Sequence, residues 1–319
     1  MQALVFTELH QPLSYQEVED PQPKVGQLLI DVKAAALNHR DNWITKGLYP
    51  NSKGPAILGS DGAGVVDGRA VIINPNVNWG DNPRLPSSDY LILGLEQAGT
   101  FAEQIVVDAD RVVDKPEHLT FEQAAALPLA GLTAYRALVS NCQVQASDKV
   151  LISGIGGGVA LAAFQFAIAT GAEVYVTSSS EEKIQTAVKM GAAGGANYRE
   201  EKWSRAFGKE TGGFDVIIDS AGGPDFANLV RLARPGARIG FYGGTRGNWQ
   251  NVSPAALFFG QVSIFGSTMG SDQEFNDMVA FVNEHKIVPV VDSTFPLAEG
   301  NKALAHMDQG LQFGKIVLV

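Results

Sequence analysis

The spacing of apolar and polar positions changes near residue 120 and divides the chain into two regions. Before Thr120, short runs of β-branched and aliphatic residues are separated by turns rich in Gly and Pro. Such runs are typical of short strands, and the clearest are Leu28–Val32, Gly64–Val66, Ala70–Ile73 and Ile105–Val107. The first 120 residues are therefore predicted to be rich in β-structure.

From Thr120 onward, predicted strands alternate with predicted helices. Thr120 and Gln123 have the spacing of a capping box, which predicts a helix over Glu122–Ala126. Strands follow at Lys149–Ile152, Glu173–Thr177, Val216–Asp219, Arg238–Tyr242 and Ser263–Phe265. Helices are expected at Val159–Thr170, Glu181–Met190, Phe226–Leu232 and Gln273–His285. This alternation predicts the α/β class, with a parallel, doubly wound sheet. The tail, Val288–Val319, returns to short β-like runs and is expected to rejoin the first region.

The segment Ser153–Ala160, Ser-Gly-Ile-Gly-Gly-Gly-Val-Ala, joins a predicted strand directly to an Ala-rich helix. Glycines let such a turn approach a pyrophosphate closely, and the N–H groups of a helix N-terminus favour its negative charge. This context predicts a dinucleotide site with contacts at Gly156, Gly157, Gly158 and Val159. The alternative is a tight turn that binds no ligand.

The end of the next predicted strand indicates which dinucleotide is bound. NAD sites place an Asp or Glu about 20 residues after the Gly-rich turn to bind the ribose hydroxyls. Here the strand ends in Thr177–Ser180, without a carboxylate. The hydroxyls of Ser178 and Ser179, with Lys183 one turn into the helix, suit a 2′-phosphate, so NADPH is predicted rather than NADH. Alternatively, Ser179 is an N-cap that forms a capping box with Glu182.

Composition narrows the choice of partners. The net charge of −10 argues against nucleic acid or an anionic membrane, although a local basic pocket for a small phosphate remains possible. The chain has no run of about 20 apolar residues and no signal sequence at Met1–Phe6. The single cysteine, Cys142, excludes intrachain disulfides and four-cysteine zinc sites. A soluble, cytoplasmic protein without a membrane partner is expected.

Several further segments, in one order along the chain, carry a family resemblance. They are Leu37–Asp41, Gly47–Pro50, Leu58–Val66, Gly99–Glu103, Ala124–Tyr135, Asp219–Gly223 and Gly314–Leu318. Together they resemble the zinc-independent quinone-oxidoreductase branch of the medium-chain dehydrogenase/reductase superfamily. The resemblance implies a GroES-like, β-rich catalytic domain (1–120 with 286–319) around an inserted Rossmann domain (121–285).

The resemblance also bears on a metal. Zinc-dependent relatives carry a Cys-His pair in the first of these motifs and Gly-His-Glu in the second. This chain has Asn38 in place of the Cys, Ser60 in place of the His and Asp61 in place of the Glu. An open zinc site needs three protein ligands, and His39 and Asp61 cannot supply them. We therefore expect no zinc.

Without a Lewis acid, hydride transfer to a quinone or an activated alkene is easier than oxidation of an alcohol. By its position in the resemblance, Tyr49 is the candidate proton donor. The alternative is a Tyr that only packs against substrate at the cleft mouth, with water as the proton source. Asn38 is a candidate amide donor to the substrate carbonyl or ribose, or else a turn residue. Asp41 completes the candidate catalytic set.

The resemblance also implies cofactor contacts outside the Gly-rich turn. They are Thr133, Tyr198, Ala221, Tyr242, Gly243, Gly244, Phe265 and Gly266. The last Rossmann strand in this family, here about Val262–Phe265, often pairs with its copy, so a homodimer is expected. The prediction is an NADPH-dependent reductase of small-molecule quinones or α,β-unsaturated carbonyls. Its alternatives are an alcohol or aldehyde dehydrogenase of the same superfamily and a nucleotide-binding protein with little turnover.

Overall fold

The computed structural model describes all residues from 1 to 319. The chain divides into two compact units, one made of residues 1–130 and 271–319 and the other of residues 131–270. The first unit thus includes segments 121–130 and 271–285, which the sequence prediction assigns to the dinucleotide-binding domain.

Strands dominate the first unit. They are β1 (Gln2–Phe6), β2 (Ser14–Glu17), β3 (Gln27–Ala36), β4 (Ala56–Ile57), β5 (Asp61–Val66), β6 (Arg69–Ile73), β7 (Asn76–Val77), β8 (Leu91–Ile92), β9 (Gln104–Asp108), β10 (Val112–Asp114), β17 (Val291–Phe295) and β18 (Lys315–Leu318). The helices are α1 (His39–Thr45), α2 (Phe121–Ala125), α9 (Asp272–His285) and α10 (Gly300–Asp308), while α3 (Pro128–Tyr135) crosses the boundary. The main sheet has the order β10-β6-β5-β3-β18-β17, and β9 also pairs with β3. These features confirm the β-rich first region.

The C-terminal tail completes this sheet. β18 pairs antiparallel with β3, where Leu318 lies opposite Ala35, and parallel with β17 on its other side. The tail thus lies in the first unit, but its prediction as short β-like runs alone is wrong, because α10 lies between β17 and β18. The core of this part of the unit is a cluster that includes Leu4, Phe6, Leu37, Ile44 and Leu58.

The second unit is an alternating α/β structure. Its strands are β11 (Lys149–Ile152), β12 (Glu173–Ser178), β13 (Gly194–Asn197), β14 (Phe214–Asp219), β15 (Ala233–Phe241) and β16 (Ser263–Gly266). Its helices are α4 (Gly158–Thr170), α5 (Glu181–Lys189), α6 (Trp203–Thr211), α7 (Phe226–Leu232) and α8 (Pro254–Gly260), with a π-helical segment at Arg136–Asn141. The strands form one parallel sheet in the order β13-β12-β11-β14-β15-β16. This order is that of a dinucleotide-binding doubly wound fold.

Local signals explain most of these elements. The capping box at Thr120 is present, and Gln123 N–H donates to the Thr120 hydroxyl over 3.2 Å. Helix α4 ends at Gly171, whose left-handed φ of 91° suits a residue without Cβ. Sequence patterns missed β13, which is built from Gly194-Gly-Ala-Asn197 and lacks the β-branched residues that mark a strand. None of the helices combines the length and the apolar character that a membrane span requires.

Candidate active site

Helix α1 begins at Asn38, one of the predicted site residues. The Asn38 backbone N–H donates to Asp41 Oδ2 over 2.8 Å, and the two residues form a capping box. Asp41 is fully buried, and its Oδ1 has no hydrogen-bond partner. Burial raises the pKa of Asp41 to about 6. In this structure Asp41 is therefore the third residue of α1, and its carboxylate positions the N-cap residue Asn38.

The Asn38 side chain belongs to a buried polar network. Lys315 Nζ donates to Asn38 Oδ1 over 2.7 Å and to Asp61 Oδ2 over 2.8 Å. Asn38 Nδ2 also donates to Asp61 Oδ2, over 2.9 Å. The second oxygen, Asp61 Oδ1, accepts from the Leu129 backbone N–H over 2.7 Å. Charge and hydrogen-bonding capacity are thus satisfied inside the protein, as a buried ion pair requires. We call Asn38, Asp61 and Lys315 the ammonium network.

The ammonium network does not fit a zinc ion. Two of its members, Asn38 and Asp61, stand at positions of the motifs that carry zinc ligands in zinc-dependent relatives, and Asn38 has an amide in place of a thiolate. Lys315 Nζ already takes the carboxylate of Asp61 and would repel a second cation. No group of three or more His, Cys, Asp and Glu side chains lies close enough to hold a metal.

Arg40 and Tyr49 lie beside this network. The Arg40 guanidinium is buried and donates to Ser60 Oγ over 2.6 Å and to the Leu93 carbonyl over 2.7 Å. Its central carbon lies 4.9 Å from the centre of the Tyr49 ring, a cation–π contact. Tyr49 itself is half-buried against the core. The Arg40 guanidinium therefore packs against one face of the ring of Tyr49, the predicted proton donor, and restricts its position.

In the second unit, the Gly-rich turn connects β11 to α4. Gly154 and Gly156 have φ values of 68° and 133°, which side-chain-bearing residues rarely adopt. The Gly154 N–H donates to Thr177 Oγ1 over 3.1 Å, which ties the turn to β12. A Cβ built on Gly157 would meet nothing within 4 Å, and no side chain caps α4, which begins at Gly158. The turn thus leaves open space in front of free helix N–H groups, as a pyrophosphate requires.

Asp219 organises the carboxyl edge of the parallel sheet. Its Oδ1 accepts from Ser153 Oγ over 2.7 Å and its Oδ2 from the Gly222 N–H over 2.8 Å. The Tyr242 N–H donates to the Asp219 carbonyl over 3.1 Å. The Asp219 carboxylate therefore ties together the loops that follow β11 and β14, and its backbone carbonyl holds the start of the loop that follows β15. Ala221 and Gly243 lie in those loops, which brings several predicted cofactor contacts to one edge.

The end of β12 differs in one detail from expectation. The N-cap of α5 is Ser180, whose hydroxyl accepts from the Lys183 N–H over 3.4 Å, and not Ser179. The alternative interpretation of Ser179 as the N-cap in a box with Glu182 is therefore wrong, because the helix begins one residue later. Ser179 and Lys183 are half-buried, while Ser178 is buried.

The remaining predicted contacts lie at the same edge or near it. The Tyr198 N–H donates to the Ser178 carbonyl over 3.0 Å, which brings Tyr198 to the end of β12. Tyr242 is half-buried, and burial raises the pKa of its hydroxyl. The Thr133 hydroxyl contacts Met269 Sδ at 3.9 Å. Phe265 is half-buried and the other three are exposed or partly so: Val159, Gly244 and Gly266.

Three residues that organise the site were not assigned a role from sequence. Lys315 lies within a family motif, but its partner Asp61 is 254 residues away, so no local spacing connects them. Asp219 also lies in a motif, yet nothing in its neighbours predicts a bond to Ser153. Arg40 lies in the same motif as Asn38, but that motif suggested a role only for Asn38 and Asp41 and for the positions of zinc ligands in relatives. Cys142 is buried, which raises the pKa of its thiol to about 12, so the thiol stays protonated and unreactive at neutral pH.

Two family models match the chain. Residues 24–117 match the alcohol dehydrogenase GroES-like domain, and residues 158–284 match the model described as zinc-binding dehydrogenase. A zinc-type alcohol dehydrogenase-like protein from Leptosphaeria maculans is 34% identical, with 98% of this chain and 95% of that protein covered.

Solved structures of dehydrogenases and quinone oxidoreductases are also similar to this chain. A structure titled NAD-dependent alcohol dehydrogenase has a TM-score of 0.94 at 34% identity and covers 100% of this chain and 99% of its own. The quinone oxidoreductase of Thermus thermophilus, described with its NADPH complex, has a TM-score of 0.84 at 27% identity, with 100% and 99% covered. The fold and site define an oxidoreductase built from a GroES-like and a Rossmann unit. The chain belongs to the medium-chain dehydrogenase/reductase superfamily, in its quinone-oxidoreductase-like branch.

Proposed function

We propose that this chain is an NADPH-dependent reductase that delivers hydride to a quinone or an α,β-unsaturated carbonyl without a metal. The observation that carries the proposal is the ammonium network. Asn38 and Asp61 bond to each other and to Lys315, and Ser60, which stands in place of the His, accepts from Arg40. These side chains are therefore not available to hold a Lewis-acidic metal that would lower the pKa of an alcohol. An acceptor that takes up hydride readily does not need one.

The open Gly-rich turn supports the cofactor assignment. Gly157 and the first N–H groups of α4 would bind the pyrophosphate. Ser178, Ser179 and Lys183 would bind the 2′-phosphate of NADPH, since that end of β12 has hydroxyls and a cation in place of a carboxylate. The bound reduced nicotinamide supplies the hydride.

Tyr49 is the proposed proton donor to the reduced acceptor. Its ring is held by the Arg40 guanidinium, and its hydroxyl donates to no group of the protein, so the O–H is available to a ligand. Asn38 would act differently from a free amide donor. Its Oδ1 accepts from Lys315 and its Nδ2 donates one proton to Asp61, which leaves one N–H for substrate or ribose.

A homodimer through β16 is part of the proposal. β16 is the edge strand of its sheet and pairs only with β15. Phe258 and Phe259, in the adjacent helix α8, are 56% and 81% exposed. An unpaired edge beside exposed aromatic rings favours pairing with a second copy. Light scattering after size exclusion tests this: Phe259→Asp should shift a dimer toward monomer, and a monomeric wild type would contradict it.

Stopped-flow oxidation of NADPH by a small panel of acceptors tests the chemistry. The panel contains a quinone, an enone, an enoyl-CoA thioester and an aldehyde, each also measured with NADH. We expect turnover with the quinone or the enone, faster with NADPH. Turnover with the aldehyde alone would favour the alcohol or aldehyde dehydrogenase alternative, and binding without turnover would favour a nucleotide-binding protein.

The variant Tyr49→Phe separates the two proton sources. If Tyr49 donates the proton, kcat for the enone should fall by about 100-fold or more with little change in NADPH affinity. If water donates it, the variant should keep kcat within about threefold. Arg40 remains beneath the ring in this variant, so the packing is preserved.

A further inference from the structure

A groove lies between helices α6 and α7 in the second unit. Its volume is about 670 Å³, within the usual range of small-molecule sites. A glycine keeps its two sides close: a Cβ on Gly208 would lie only 3.1 Å from Leu232 Cδ2. The Ser204 hydroxyl donates to Asn228 Oδ1 over 3.1 Å and links the two helices.

The side chains that line this groove are strongly basic. Lys202, Arg205, Arg231 and Arg234 line it, and none of its lining residues is acidic. The whole chain carries a net charge of −10, so a groove lined by four cations has the opposite sign of charge to the protein as a whole. Carboxylates outside the lining offset two of these cations, Asp215 at Arg234 and Glu201 at Lys202, whereas Arg205 and Arg231 have no acidic partner. The groove is therefore a local positive site on an acidic protein.

Two of the arginines are already held in place. Arg234 donates to Asp215 Oδ2 over 2.8 Å and to the Gly212 carbonyl over 3.1 Å. Arg231 donates to Asn228 Oδ1 over 2.5 Å. Each guanidinium has five N–H groups, so both keep donors for a ligand. Arg205 forms no ion pair, and Lys202 pairs only with the exposed Glu201 over 3.1 Å.

We infer that this groove binds a small molecule that carries two or more phosphate groups. Guanidinium groups bind phosphate oxygens in pairs, and several of them together suit several phosphates. Leu232 and Pro235 add an apolar wall for the organic part of such a ligand. The volume exceeds what a single orthophosphate fills.

The groove is separate from the proposed dinucleotide site. Gly212 and Gly213 precede β14, so this end of the groove lies at the amino ends of the strands. The Gly-rich turn follows β11 and lies at the carboxyl ends, on the opposite edge of the same sheet. A ligand in the groove therefore does not replace the cofactor.

Isothermal titration of the full-length protein with inorganic tripolyphosphate tests the inference, at low ionic strength and in an excess of NADP⁺ that occupies the Gly-rich turn. We expect one site per chain. The double variant Arg205→Gln/Arg231→Gln should weaken binding by about tenfold or more, as expected for the loss of two charge-assisted contacts. The matched control is Lys24→Gln/Arg69→Gln, which removes two exposed cations outside the groove.

The control makes each outcome decisive. Equal weakening in both double variants would show nonspecific attraction and overturn the inference, as would full binding by Arg205→Gln/Arg231→Gln or no binding by the wild type. The affinity for NADP⁺ should be the same in both variants, which also reports that they fold. Because the readout is tripolyphosphate binding, failure here is distinct from failure of the proposed reductase activity.

Discussion

The ammonium network and the Gly-rich turn differ in how far their polar groups are hydrogen-bonded within the protein. In the network, Asn38, Asp61 and Lys315 are buried and bond to one another, which leaves one N–H of the Asn38 amide without a protein partner. In the turn, the first N–H groups of α4 have no side-chain cap and face open space at Gly157. The network uses most of its polar groups within the protein, whereas the turn leaves its helix N–H groups available for the proposed cofactor. The comparison teaches that a binding motif is recognised by what it leaves unsatisfied.

The largest expected effect comes from breaking the network. Lys315→Met leaves the Asp61 carboxylate buried without a cation, which should lower the free energy of unfolding by about 3 to 5 kcal/mol. Urea unfolding measures it, with Lys302→Met, an exposed lysine, as the matched control. Adding Asp61→Asn should recover part of the loss. A loss below about 1 kcal/mol in Lys315→Met would mean that the pair is not a buried structural contact.

Asp41 is an exception among the buried polar groups near the ammonium network, because its Oδ1 has no hydrogen-bond partner. Burial raises the pKa of Asp41 to about 6 in the folded state. In the unfolded state it is near 3.9. Between these values only the unfolded state ionises, so this group reduces folded stability as pH rises through that window. Relative to wild type, Asp41→Asn should gain about 2 to 3 kcal/mol of unfolding free energy between about pH 3 and pH 7.

Unfolding in urea at several pH values gives that difference directly. Subtracting the wild-type value from that of Asp41→Asn removes the contribution of the other carboxylates. Among these are Asp292 and Asp308, whose lowered pKa values make folded stability fall as pH falls. A difference that does not change with pH would contradict the raised pKa. It would also mean that water reaches Asp41.

In contrast to Lys315→Met, a substitution in the Gly-rich turn should change cofactor affinity and leave the free energy of unfolding almost unchanged. Gly157 has a φ of −77° and space around its Cβ position, so Gly157→Val should change the unfolding free energy by no more than about 1 kcal/mol. The new side chain fills the space of the pyrophosphate, and NADPH affinity should fall by about 30-fold, or 2 kcal/mol. Fluorescence titration and thermal unfolding measure the two effects. Unchanged affinity would place the cofactor elsewhere.

The smallest effect concerns the choice of nucleotide. Lys183→Ala should lower the ratio of NADPH to NADH affinity by about tenfold, since one charge-assisted contact to the 2′-phosphate is lost. Lys189→Ala, at the last turn of the same helix, is the control. An unchanged ratio in Lys183→Ala would count against the proposed 2′-phosphate contact.

Local patterns predicted the fold better than the site. The five predicted strands of the second unit are all present, because alternating strands and helices leave a periodic signal. Helix α6 was missed, since Trp203–Thr211 has a glycine and few apolar residues. The network could not be predicted, since Lys315 and Asp61 meet only after β18 joins the sheet. The Gly-rich turn is contiguous in the chain, so its place between a strand and a helix could be predicted from local sequence.

The return of the tail has a consequence for the order of events during synthesis. Residues 131–270 are contiguous, so the second unit is complete as soon as they leave the ribosome. The first unit must wait for β18, which fills the gap between β3 and β17 and carries Lys315. Until then Asp61 lies at an unfinished sheet without its cation. The nascent chain therefore has a complete second unit while the main sheet of the first unit still lacks β18.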